Sequence, residues 1–449
     1  MIKGIIALGV LAVVLSTPAA AADNHSYKER QHGSAYSIRN FMSRNHDNEY
    51  EIIIAMSGGG TRAAAFAYGV LKALRAETLP EKNHQSLLDE VDVISSVSGG
   101  SFTAAYYGLY GNKIFSDFEP DFLYTDVESE LYSVLLKPSS WFSKSGRTGE
   151  AIEYYQERLF GEATFADIQK AGGPLIIINA TDLGNRVRFS FLQEFFDPLC
   201  SNLSTYPVAN AVAASAAVPV VFNPVVLENY DTCDNSTNRF LESSDKEISK
   251  VSESTWRGLV GYRDKENKKY VHLVDGGISD NLGLLSLYDT AEIGGGHEKF
   301  IQRGGNKIPK HYIIISIDAS VSPERTINLS PDEPSITDTV SAMSEVQFFR
   351  YNTSTRQLIE DWVDEYVKLA AERNIEIEPY IININFSPMA IIDEKRRKFL
   401  NNIPTDLTLE KEQVDIAIEE GFVQLQNHPD FLRFRRNIAE EAKKLSTTP

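Results

Sequence analysis

Val91-Asp92-Val93-Ile94-Ser95-Ser96-Val97-Ser98-Gly99-Gly100 is the stretch whose reading decides the fold. An apolar run ends in a serine among small residues, and a small-residue stretch continues through Gly108. That layout predicts strand, sharp turn and helix. It lifts the Ser98 hydroxyl out of a sheet edge, beside the N-terminal amides of the helix. Glycine follows the serine because bulky neighbours would clash in so tight a turn. Ser96 stands where a G-x-S-x-G elbow has glycine, and its small side chain keeps the turn feasible.

Upstream, Tyr50-Glu51-Ile52-Ile53-Ile54-Ala55-Met56 reads as a buried strand, with Ser57-Gly58-Gly59-Gly60-Thr61-Arg62 directly behind it and a helical stretch over residues 63–74. Successive glycines between strand and helix expose backbone N–H groups with no Cβ in the way. Such a cradle binds an anion, either a phosphate or a transition-state oxyanion. Far downstream, the apolar strand Val271-His272-Leu273-Val274 runs into Asp275-Gly276-Gly277. Both Ser98 and Asp275 follow strands, so they are expected to meet at one edge of a parallel sheet, where ligand sites of α/β folds lie. A serine attacks only when something takes its proton. An ordinary aspartate, with a pKa of about 3.9, is a weak base, and a water-poor site would strengthen it.

Taken singly, Ser98 reads as a helix N-cap and Asp275 as a turn aspartate before glycine. The order and spacing of further motifs weigh against those readings. The glycine loop, the Ser98 elbow, Asn179-Ala180-Thr181-Asp182-Leu183, the block Ala214-Ser215-Ala216-Ala217-Val218-Pro219-Val220-Val221-Phe222-Asn223-Pro224 and Asp275-Gly276-Gly277 follow one another in the order of the patatin-like phospholipase family, which this chain resembles over residues 50–285. The resemblance implies a three-layer α/β/α fold with a mostly parallel central sheet. It also implies a Ser98–Asp275 dyad that hydrolyses acyl esters of lipids through an acyl-enzyme, with an oxyanion hole at Gly58, Gly59 and Gly60. The expected partner is a lipid or phospholipid, met transiently at a membrane or micelle surface, and no cofactor is expected. Arg62 is a candidate for orienting a substrate phosphate, or else for anchoring the loop.

Rival readings are weaker. Gly58 to Ala63 fits G-x-G-x-x-A, but a dinucleotide site expects an acid at the end of the second strand, where Ser95 and Ser96 stand. A Ser–Asp–His esterase would need a base among His297, His311 and His428. His297, in the mobile-looking run Gly294-Gly295-Gly296-His297, is the best placed of these, and His272 should point away from Asp275 on the strand. A secreted lipid-binding module on an inactivated hydrolase fold would have no use for the dyad. No His, Cys and Glu cluster has metal-ligand spacing, so no metal is expected.

The 449 residues are 42% hydrophobic with a net charge of −18, which argues against nucleic acid as a partner. It argues equally against general electrostatic docking on anionic bilayers, so lipid contact must be apolar or use a local patch. Lys3, the apolar run over residues 5–15 and the alanines at 19–22 read as a signal peptide over residues 1–22, predicting export. Cys200 and Cys233 are the only cysteines, and in an exported protein such a pair is expected to bridge.

Residues 23–48 read as a loosely held polar arm, 49–290 as the catalytic domain, and 291–449 as a region completing the α/β fold with added helices. Strands are expected at 52–56, 91–97, 175–179, 187–191, 270–274, 312–317 and 380–384. Turn chemistry at Asp182-Leu183-Gly184-Asn185 predicts one antiparallel hairpin in a mixed sheet. Trp141-Phe142, inside an insertion over residues 112–173, reads as a core corner rather than a lid. Residues 229–268 read as a surface excursion. The stripe Leu358, Ile359, Trp362, Val363, Tyr366, Val367, Leu369 gives a helix one apolar face that belongs to the core, and 415–425 suggests another amphipathic helix.

Overall fold

A computed structural model describes residues 24–28, 35–42, 49–79, 82, 85–127, 129, 146–219, 221–234, 239–242, 248–304, 308–322, 327, 331 and 333–447. The signal-peptide segment and Trp141-Phe142 lie outside the described residues.

The sheet is built from β1 (Tyr50–Met56), β2 (Val91–Val97), β3 (Leu175–Asp182), β4 (Val187–Ser190), β5 (Val225–Glu228), β6 (Tyr270–Asp275), β7 (His311–Asp318) and β8 (Glu378–Asn385). Their order is β8-β7-β1-β2-β3-β6-β5, with β4 paired to β3. The helices that frame the site are α1 (Gly60–Ala76), α2 (Gly99–Tyr110), α3 (Val208–Ser215), α4 (Leu285–Ile293), α5 (Ile336–Ala371), α6 (Glu394–Asn401), α7 (Lys411–Asn427) and α8 (Pro429–Thr447).

Strand alternation builds the three layers. Ile52, Ile54 and Met56 of β1, with Ile313, Ile315 and Ile317 of β7, face the main core with α1, α2, α7 and α8. Ile53, Ala55, Tyr312 and Ile314 face a second core with α4 and α5. A sheet covered on both faces needs apolar side chains at every position, which is why these strands read as unbroken apolar runs. The stripe on α5 lies in that second core, where Ile359, Val363 and Tyr366 are buried. Helices α1 and α7 cross at backbone contact: a Cβ on Gly69 would lie 2.0 Å from the Ile418 carbonyl oxygen, and one on Gly421 would lie 2.2 Å from that of Phe66.

The strands β8, β7, β1, β2 and β3 are all parallel. The hairpin β3–β4 is antiparallel. Here the structure departs from a simple parallel edge: β6 is antiparallel to β3. Val97 lies level with Asn179, and β3 runs on past that level to Asp182. Strand β6 descends along this overshoot and stops at Asp275, opposite Ala180. Serine and aspartate therefore arrive at one level from opposite directions. The short edge strand β5, antiparallel to β6, was not anticipated.

Described residues of the arm expected to be loose are held. Asn24 donates to Ser201 Oγ at 3.0 Å and to the Glu228 carbonyl at 2.9 Å. The buried Tyr36 hydroxyl donates to the Ile176 carbonyl and accepts from its N–H. Within 229–268, the helix Lys250–Gly261 buries Ser252, Thr255 and Leu259. The expected surface excursion thus includes a packed element, because its few small and apolar residues fall on one helical face.

Candidate active site

The turn after β2 holds Ser98 at φ 48° and ψ −119°, a conformation that costs an ordinary residue about 1–3 kcal/mol and persists only when its surroundings enforce it. Three contacts do so. The Ser98 N–H donates to Ser215 Oγ at 2.8 Å, and the Ser98 carbonyl accepts from the Ser101 N–H at 2.9 Å. A Cβ on Gly99 would lie 2.0 Å from the Gly60 carbonyl oxygen, so the elbow sits tight against the glycine loop. Ser96 fits where glycine is usual, its hydroxyl donating to the Ile177 carbonyl and accepting from Ser101 Oγ.

Ser98 and Asp275 are both buried, at 8% and 9% exposure. The Asp275 carboxylate accepts from the Gly277 N–H at 2.8 Å, and the Ser98 hydroxyl is near enough to act on its charge. Burial pushes the Asp275 carboxyl up to about 6, against the downward pull of those two donors. Its backbone is fixed on both sides: Asp275 N–H donates to the Ala217 carbonyl at 3.0 Å, and the Asp275 carbonyl accepts from Thr181 Oγ1 at 2.8 Å. Gly276 lets the chain turn beside β3, where a Cβ would lie 2.3 Å from the Asn179 carbonyl oxygen.

The glycine loop faces the same space, since a Cβ on Gly58 would lie 3.3 Å from Ser98 Cβ. One of the three expected oxyanion donors is already engaged: the Gly58 N–H donates to the Asn281 carbonyl at 3.1 Å. Among the described residues, the N–H groups of Gly59 and Gly60 have no protein acceptor. They remain as the candidate donors, at positive φ angles of 138° and 62°.

Arg62 is not open to substrate. Its guanidinium is buried and donates to the carbonyls of Ala319 and Ile403 and to Thr405 Oγ1. Burial lowers its pKa to about 10, with Asp318 and Asp406 opposing the shift. With the Thr61 N–H on the Asp406 carbonyl at 2.9 Å, it clamps the glycine loop to the C-terminal region. Of the two roles considered, the structure gives it the anchor, because every face of the guanidinium is turned into the protein.

Several site residues escaped the sequence reading. Ser215 joins the elbow to the aspartate loop, its hydroxyl also donating to the Asn179 carbonyl at 2.6 Å and its own carbonyl accepting from the Gly276 N–H at 3.0 Å. Asn281 places Oδ1 between the Gly58 and Gly277 backbones. Asp280 is buried and accepts from the N–H groups of Gly283 and Leu285. Its carboxyl is pushed up to about 6 by burial, while Arg188 pulls it down. In the sequence, Asp280 and Asn281 follow the aspartate loop and read as turn residues.

The histidines lie elsewhere. His297 is not in a mobile loop: it belongs to the helix Gly296–Gly304, stacked on Tyr366 and packed on Trp362, and burial lowers its pKa to about 4. His311 starts β7, at the sheet edge opposite Ser98, with Nε2 3.2 Å from Glu441. His428 caps the turn into α8 through Nδ1, and His272 is exposed on β6. Among the described residues, no group of three or more His, Cys, Asp and Glu side chains is placed to hold a metal ion. Cys200 and Cys233 are bonded to each other, 33 positions apart.

A family model described as patatin-like phospholipase matches residues 54–288. Among solved structures, human GIVD cytosolic phospholipase A2 aligns at 10% identity and a TM-score of 0.40, over 91% of this chain and 66% of that one. The same human enzyme in complex with methyl gamma-linolenyl fluorophosphonate aligns at 12% identity and a TM-score of 0.41, over 90% and 62%. VipD from Legionella pneumophila aligns at 13% identity and a TM-score of 0.32, over 84% and 66%. The chain thus spans less than two thirds of the length of these solved chains. No curated protein matches.

Proposed function

The chain belongs to the patatin-like phospholipase family, and from that premise we propose that it is a lipid acyl hydrolase that cleaves carboxylic ester bonds of phospholipids or lysophospholipids. The observation that carries this reading is the burial of Ser98 and Asp275 beside the glycine loop, with the Asp275 carboxyl raised to about 6. A carboxylate so tuned is ionised at neutral pH and basic enough to draw a proton as attack begins.

Ser98 Oγ attacks the ester carbonyl carbon while its proton passes to Asp275. The carbonyl oxygen becomes an oxyanion, stabilised by the N–H groups of Gly59 and Gly60. As the intermediate collapses, Asp275 returns the proton to the leaving alcohol oxygen, leaving the acyl group on Ser98. Water then attacks that ester, giving its proton to Asp275, and the fatty acid departs as the proton returns to Ser98 Oγ. Metal ions and cofactors have no part in this scheme. We place the protein in an exported compartment, a reading supported by the amino-terminal apolar run and by the disulfide.

Ser98→Ala and Asp275→Asn should each lower ester hydrolysis by roughly 10³-fold or more with the fold retained. A fluorophosphonate probe should label Ser98. Near wild-type turnover in either variant would falsify the dyad, and a folded, unreactive wild type would favour the non-catalytic lipid-binding module.

A further inference from the structure

Two large apolar side chains stand almost wholly in solvent: Met389 at 95% and Ile392 at 90% exposure. They sit in the turn between β8 and α6. That turn is built, not slack. Ser387 N–H donates to Asn385 Oδ1 at 2.9 Å, and the Ala390 and Ile391 N–H groups donate to the Ser387 carbonyl. Ile391 is buried between the two projecting residues, and its carbonyl accepts from Arg397. Asp393 caps α6 by accepting from the Lys395 and Arg396 N–H groups. Both side chains are therefore held out by the fold.

The position is as telling as the exposure. Strand β8 runs parallel to β7, β1 and β2 in turn, so its C-terminal turn lies at the sheet edge that carries Ser98. Helix α6 then leads to Ile403, Thr405 and Asp406, which clamp the glycine loop. Across the site, Val218 follows the carbonyl that holds Asp275, and Ile278 follows Gly277; both are exposed. Exposed cations also lie close by. On a chain of net charge −18, the turn is followed by Asp393 and Glu394 and then by the basic run Lys395-Arg396-Arg397-Lys398. Lys395 and Lys398 are exposed, Lys398 beside Glu394, while Arg396 is committed to Glu419 and Glu420.

We propose that this edge of the sheet docks on the surface of a phospholipid bilayer, with Met389 and Ile392 inserted among the lipid tails and Lys395 and Lys398 at the level of the phosphates. The assignment rests on the lipid hydrolase reading. Apolar tips backed by cations match the depth profile of a bilayer interface. Two side chains projecting from one short turn do not form the broad apolar face that a second copy of this chain would bury.

The test uses the full chain carrying Ser98→Ala, so that vesicles stay intact, in co-sedimentation with vesicles of phosphatidylcholine alone or of equimolar phosphatidylcholine and phosphatidylglycerol. Adding Met389→Ser and Ile392→Ser should weaken partitioning to both vesicles by roughly 10–100-fold. Adding Lys395→Gln and Lys398→Gln should weaken only the second. With Ser98 intact, Met389→Ser/Ile392→Ser should leave turnover of a water-soluble short-chain ester unchanged and lower hydrolysis of bilayer lipid. Unaltered partitioning in the apolar double variant overturns the proposal, as does a parent chain that ignores both vesicles. A lipid-free dimer that this variant dissociates would give the patch to a second copy, also against the proposal. No soluble-ester turnover in the chain with Ser98 intact, with vesicle binding as described, would sink the hydrolase reading and leave the docking surface standing.

Discussion

The Ser215 hydroxyl accepts the Ser98 N–H at 2.8 Å, while the Ser215 carbonyl accepts the Gly276 N–H at 3.0 Å. One residue at the end of α3 thus fixes the strained elbow and the loop behind Asp275 together. Ser215→Ala keeps the carbonyl link and removes the hydroxyl, leaving a buried N–H without its acceptor. It should cost about 1–3 kcal/mol of stability and lower kcat more than it raises KM, because the bond sets where Oγ stands. Thermal melts and a KM-against-kcat comparison check this. Wild-type kcat would show that the elbow holds its shape without Ser215.

Activity should depend on pH through Asp275. Protonated, it can take no proton from Ser98, so kcat/KM should rise up to about pH 6 and level off above it. A pH–rate profile on a soluble ester checks the midpoint; one near 4 would mean that burial does not raise this carboxyl.

Stability should run the other way. Burial raises Asp275 and Asp280 to about 6 and Glu194 to about 7, above unfolded values of about 3.9 and 4.3. Between those limits the folded chain binds more protons than the unfolded one. Stability from these groups is therefore full below about pH 4 and is lost as pH rises toward 7. Melting temperatures across this range should show a shallower decline in Asp275→Asn than in the parent.

Arg62→Lys tests the loop anchor. One ammonium cannot reproduce a planar fork bonded to Ala319, Ile403 and Thr405. The variant should lose about 3 kcal/mol or more, and turnover of phospholipid and of neutral ester should fall by the same factor. A loss confined to phospholipid would return Arg62 to the role of phosphate ligand.

Reducing Cys200–Cys233 should lower stability by about 3–4 kcal/mol, from the loop closed over 33 positions. Turnover in the protein that stays folded should be unchanged. Intact mass without reductant, and melts with and without it, check this; two freely alkylated thiols in exported protein would remove the bridge.

The sequence showed the elbow, the glycine loop and the aspartate turn clearly, because each demands small residues that little else explains. The β3–β4 hairpin was legible from its turn residues. The direction of β6 was not: it depends on how far β3 overshoots its parallel neighbours, and no local pattern encodes that. Arg62 and His297 were illegible for a related reason. An arginine after glycines, or a histidine after three of them, reads the same whether it faces solvent or is packed against chain dozens to hundreds of residues away. The four residues of β5 were too few for alternation to stand out, and Asn24 and Tyr36 gave no hint that they pin the arm.

The clamp on the glycine loop also sets an order of assembly. Ser98 and Asp275 leave the ribosome well before Thr405, Asp406 and Gly421, which hold Thr61, Arg62 and α1 in place. A chain that stops near residue 290 carries Ser98 and Asp275 but no backing for the glycine loop. On the proposed chemistry, competence therefore waits for the chain beyond Thr405 to be made and packed.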